Sequence, residues 1–93
     1  MNQHTQRQIS RIFEAFRQYQ TSRMSLSEFQ GTVEGTLDAF EGSDEVARLL
    51  RWLTAEIETI RFMSPECEHQ SEIERCMERF RTHSVMACHG VKP

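Results

Sequence analysis

Arg23-Met24-Ser25-Leu26-Ser27-Glu28-Phe29 is the stretch that fixes the phase of this chain. Ser25 stands where a helix N-cap belongs and Glu28 follows three residues later, the reciprocal arrangement of a capping box. Met24 and Phe29 fall at the flanking positions of a hydrophobic staple. With Leu26 as the first helical residue, Leu26, Phe29, Val33, Leu37 and Phe40 line one apolar stripe. Every acidic residue of the segment then lies off that stripe.

The same period extends in both directions. Upstream, Ile9, Ile12, Phe13, Phe16 and Tyr19 recur at three- and four-residue steps and predict an amphipathic helix over about 4–20. Thr21, Ser22 and Arg23 break it. The second helix runs over about 26–41 and should stop at Gly42, a residue suited to the left-handed position after a helix end. Ser43 or Asp44 then caps a third helix over about 44–63, with Val46, Leu49, Leu50, Leu53, Ile57 and Ile60 in a narrow arc. Ser64-Pro65 punctuates the chain again, since proline resists an α conformation before it and suits the first helical position itself. A fourth helix over about 65–83 turns Ile73, Cys76, Met77 and Phe80 inward. Residues 84–93 read as a flexible tail. No segment alternates with the period of a strand. The expectation is an all-α, single-domain, antiparallel four-helix bundle occupying residues 1–83.

Ninety-three residues suffice for one modest core. No apolar run approaches the roughly 20 residues that span a bilayer, and the polar N-terminus lacks the pattern of a signal peptide. Three scattered cysteines (Cys67, Cys76, Cys88) do not make a disulfide framework and suit a reducing compartment. A cytoplasmic site without a membrane partner is therefore expected.

Charge is distributed unevenly. The net charge is −3, yet residues 24–47 contain Glu28, Glu34, Asp38, Glu41, Asp44 and Glu45 with no lysine or arginine. Residues 1–23 carry four arginines against Glu14. Such an acidic block disfavours a nucleic-acid backbone and is compatible with a cationic protein partner. Arg7, Arg11 and Arg17 spread around the polar side of the first helix and, with Arg23 after it, read as charge balance, so no nucleic acid is expected.

The candidate partner-binding residues are Glu34, Asp38, Glu41, Asp44 and Glu45, with Gly31, Gly35, Trp52 and Phe62. A solvated helix face and helix-start acids are the plain alternative for the carboxylates, because Asp44 and Glu45 favourably face a helix N-terminus. Gly31 and Gly35 each cost a helix roughly 1 kcal/mol relative to alanine, and both lie on the outer face, where core packing does not require them. They leave a bare strip that a partner could approach closely. Trp52, Glu56 and Met63 lie at the edge of the third helix's stripe. Phe62 lies opposite that stripe, either against the C-terminal tail or in an exposed contact patch.

Cys67, His69, Cys76, His83, Cys88 and His89 gather in one region, but their spacing does not match paired zinc ligands. His69 and Cys76 read instead as a satisfied histidine and a small buried thiol. Glu66–His69 is a single E-x-x-H pair where di-iron bundles need two. No phosphate loop, H-E-x-x-H or G-x-S-x-G motif occurs. No catalytic residue, metal or cofactor is assigned, and the chain is read as non-enzymatic.

The segment 23–29, the acidic helix after it, and Leu49-Leu50 with Glu56-Ile57-Glu58 and Ile60 resemble small all-helical bacterial immunity proteins. These are the cognate inhibitors of colicin-type and contact-dependent-inhibition toxins. The resemblance covers about residues 9–80, and the tail has no counterpart in it. It implies a helical inhibitor whose acidic surface meets a basic partner such as a toxin or nuclease. The alternative is a structural or regulatory module that self-associates through Trp52, Phe62 and Met63. The expected state is a monomer or a homodimer.

Overall fold

The computed structural model describes residues 3–40 and 44–88, with side chains as far as Ser84. Helix α1 spans Gln3–Gln20, α2 Leu26–Ala39, α3 Asp44–Met63 and α4 His69–Cys88, with a 3₁₀ turn over Glu66–Glu68. Each helix packs antiparallel on the next, α1 on α2, α2 on α3 and α3 on α4. The four-helix bundle expected from the periodicity is the fold.

Helix α1 ends in a way composition alone does not announce. Ser22 takes a left-handed conformation (φ 62°). The Arg23 N–H donates to the Gln18 carbonyl at 2.8 Å and the Ser22 N–H to the Tyr19 carbonyl at 3.1 Å. This pair of bonds is a Schellman motif, in which glycine is the favoured left-handed residue. A Cβ in that conformation costs about 1–2 kcal/mol, partly offset by the freedom glycine has in the unfolded chain. Ser22→Gly is accordingly expected to raise stability by about 0.5–1 kcal/mol in urea unfolding. No gain would mean that Ser22 contributes more than its backbone conformation.

Two residues later the capping box forms as expected. The Glu28 N–H donates to Ser25 Oγ at 3.1 Å, and the Ser25 N–H donates to Glu28 Oε1 at 2.9 Å. The bond from the Ser25 backbone N–H, followed by that with its side chain, holds the Glu28 carboxyl below the usual glutamate pKa. A group whose pKa is depressed by folding stabilises the fold above its unfolded value, and that contribution is lost as pH falls through the folded one. Glu28→Gln is therefore expected to flatten the part of the acid-unfolding curve below the ordinary glutamate pKa. An unchanged curve would count against the box.

The core comprises Ile9, Ile12 and Ala15 of α1, Phe29 and Val33 of α2, Val46, Leu50, Leu53 and Ile57 of α3, and Ile73, Cys76, Met77 and Phe80 of α4. Leu26, Leu37 and Phe40 are half-buried against it. The ring of Phe29 lies 5.8 Å from Tyr19 and 6.1 Å from Phe16, while Phe13 meets Phe80 at 5.6 Å.

Two helix ends differ from expectation. Helix α2 stops at Ala39, because Phe40 turns to extended backbone and donates its N–H to the Leu37 carbonyl at 3.1 Å. The stop expected at Gly42 and the alternative cap Ser43 lie outside the described residues. At the other boundary, α4 begins after the 3₁₀ turn and continues to Cys88, five residues beyond the expected 83. Ser84 is buried in phase with Met77 and Phe80 and gives its hydroxyl to the Arg81 carbonyl at 3.0 Å. A hydroxyl bonded to its own helix satisfies itself in the interior. The inward stripe therefore continues through a polar residue, and residues 84–88 belong to the helix and not to a tail.

Candidate functional site

One side-chain hydrogen bond ties α2 to α3 and marks which flanks of the two helices face each other. Gln30, buried at 4% exposure, accepts from Arg61 Nη1 at 3.0 Å. Each following residue is turned about 100° outward on its helix. Gly31 and Phe62 therefore emerge on the same side of the α2–α3 seam. By the same rotation Glu34 and Asp38 of α2 share that side with Asp44, Arg51, Ala55 and Glu58 of α3. All of these are exposed.

This face carries four carboxylates together with the Arg51 guanidinium, and the Arg61 guanidinium lies over the Phe62 ring at one end of it. Among the described residues the only ion pair is Arg81–Glu78, at 3.7 Å. Among the described residues Glu34, Asp38, Asp44 and Glu58 thus form no ion pair. A Cβ built on Gly31 or on Gly35 would meet nothing within 4 Å, so neither glycine is required by close packing inside the bundle.

The structure sorts the sequence candidates into three groups. Gly31, Glu34, Asp38, Asp44 and Phe62 lie along the same side of the α2–α3 seam, with Phe62 and Asp44 at opposite ends of α3, about 27 Å apart. Gly35 is exposed but turned toward the α1 side of α2, while Glu45 is exposed and turned toward α4. Trp52 stands apart: it is half-buried against the core, with the Arg79 guanidinium 5.4 Å from its ring. Its place is the α3–α4 seam. Glu41 lies outside the described residues. Sequence reasoning missed Arg51 and Glu58, which flank the face from a helix outside the cation-free segment, and it missed the Gln30–Arg61 bond beneath it.

Phe62 and Met63 are the large apolar side chains left in solvent, at 68% and 79% exposure.

Among the described residues the cysteines and histidines are dispersed, the Cys88 side chain and His89 lying outside them. Cys76 is buried, and burial, with a further contribution from the Glu56 carboxylate, pushes its thiol up to about 12. Cys67 is exposed on the 3₁₀ turn. His69 Nε2 lies 2.9 Å from the Ser64 carbonyl and His83 Nδ1 lies 2.8 Å from that of Arg79. Among the described residues no three His, Cys, Asp or Glu side chains are placed to hold a metal ion. No described helix is long and apolar enough to cross a membrane.

No protein-family model, curated protein or solved structure matches this chain.

Proposed function

We propose that this chain is a non-enzymatic binding protein of the inhibitor type, working in the cytoplasm, that docks its α2–α3 face onto a basic partner such as a toxin or nuclease. The observation that carries this reading is the state of Glu34 and Asp38. Both stand exposed beside the open surface of Gly31, and neither is paired with a cation among the described residues. Like charges concentrated on a rigid helical platform raise the association rate with a cationic surface, and they do so most at low salt. The likeness of residues 23–29 to immunity proteins supports the same class of function.

The test is capture from a lysate at low and at high salt, comparing the wild type with the Glu34→Lys/Asp38→Lys double variant. The expected result is a basic protein retained at low salt, released by added salt, and bound at least about tenfold more weakly by the variant. Both substitutions lie on the exposed arc, so the circular dichroism of the variant should match the wild type. Equal capture by the two proteins removes the proposal.

The exposure of Phe62 and Met63 favours a second reading, self-association at that end of the bundle. A sedimentation mass that stays monomeric as concentration rises would eliminate it.

A further inference from the structure

Resting on the docking reading, we infer that Phe62 is the anchor of the α2–α3 face and selects an arginine-bearing protein surface over a lysine-bearing one. The ring is exposed for a reason of phase. Arg61 takes the position facing α2, and Phe62, the next residue, must point outward. It is also held. The Arg61 guanidinium lies 5.0 Å from the ring centroid while its Nη1 is fixed by the buried Gln30 carbonyl oxygen. One face of the ring is thus already covered by a guanidinium whose own position is locked from below. The residue as a whole keeps 68% exposure.

The charges around the ring specify what it accepts. Glu58 stands one turn before Phe62 on the same side of α3, and Glu34 stands at the level of Glu58 across the seam. An aromatic face with a carboxylate one turn away on its own helix favours a cation. Between the two basic side chains, arginine is the flatter and the more weakly hydrated. It stacks on the ring while its edge bonds a carboxylate, whereas lysine offers a compact, strongly hydrated point charge. For a second copy of the chain, Phe62 with Met63 offers little apolar area beside the roughly 800 Å² each partner contributes to a standard interface. Charge complementarity therefore points to an arginine-rich surface of a different protein.

The experiment titrates the intact chain at low salt with two synthetic helical peptides, one carrying arginines along a single face and the other lysines at the same positions. Wild type is expected to bind the arginine peptide about fivefold more tightly. Phe62→Leu, an exposed and conservative change, should bring the arginine peptide down to the affinity of the lysine peptide. Equal affinities in the wild type, or a preference that survives Phe62→Leu, overturn the inference. The docking reading fails separately, if Glu34→Lys/Asp38→Lys binds both peptides as the wild type does. Absence of binding to either peptide overturns both.

Discussion

Phe29→Ala is expected to lower the unfolding free energy by about 3–5 kcal/mol, the range for truncating a fully buried phenylalanine. The ring has no exposed surface, and it is stacked on Tyr19 with an interplanar angle of 13° while tilted against Phe16. Truncation removes its transfer free energy, leaves a cavity, and strips both neighbouring rings of a partner. Phe29 also belongs to the first turn of α2, so the same change loosens the link between the start of that helix and the end of α1. For a domain of this size the loss is a large fraction of the roughly 5–15 kcal/mol that separates folded from unfolded. Urea unfolding followed by circular dichroism measures it, with Phe62→Ala as the control, since surface substitutions usually stay within about 0.5 kcal/mol. A cost for Phe29→Ala no greater than that of the control would mean the core is not centred on this ring.

How much of this was legible before any coordinates depends on the range of each interaction. The capping box of Ser25 and Glu28 is local, so it could be read directly, and with it the phase of α2 and the burial of Val33. Likewise the break at Ser64-Pro65 follows from proline's own stereochemistry. The interior polar residues were not legible. Gln30 looks like a solvent-facing residue until Arg61, 31 positions away, supplies its partner. Thr36 is buried because its hydroxyl bonds the Thr32 carbonyl at 2.8 Å, and Ser84 because it bonds Arg81, so helical hydroxyls masquerade as the end of an apolar stripe.

The candidate face shows a different limit. Helical periodicity separates inside from outside, but it does not say which neighbour lies against a given flank. Trp52 at the edge of the stripe and Phe62 opposite it had no assigned neighbours, and packing sends the first to α4 and the second to the α2 side. In the same way the cation-free segment 24–47 overstated the acidity of the surface, because Arg51 arrives on that face from the adjoining helix.

The two glycines of α2 provide the sharpest separation between what the fold needs and what a partner needs. Gly31→Ala/Gly35→Ala is expected to raise stability by up to about 2 kcal/mol, since each glycine costs a helix interior roughly 1 kcal/mol and an added Cβ meets nothing within 4 Å at either position. Thermal unfolding should show the midpoint rising, by about 4–8 °C for each kcal/mol in a domain of this size. Unused stability of this kind is common in natural proteins, so binding, and not stability, decides whether the bare surface serves a partner. Only Gly31 lies on the face with Glu34, Asp38 and Phe62, so the two positions should part company once bulk is added. Gly31→Gln, in a helix of better propensity than the wild type, is expected to bind the captured basic partner at least about tenfold more weakly, because its side chain occupies the space a docking surface would enter. Gly35→Gln, turned toward α1, should bind as the wild type does. If Gly31→Gln is more stable and binds unchanged, the opening at Gly31 is a tolerated weakness of the helix, and contact with the partner does not pass over it.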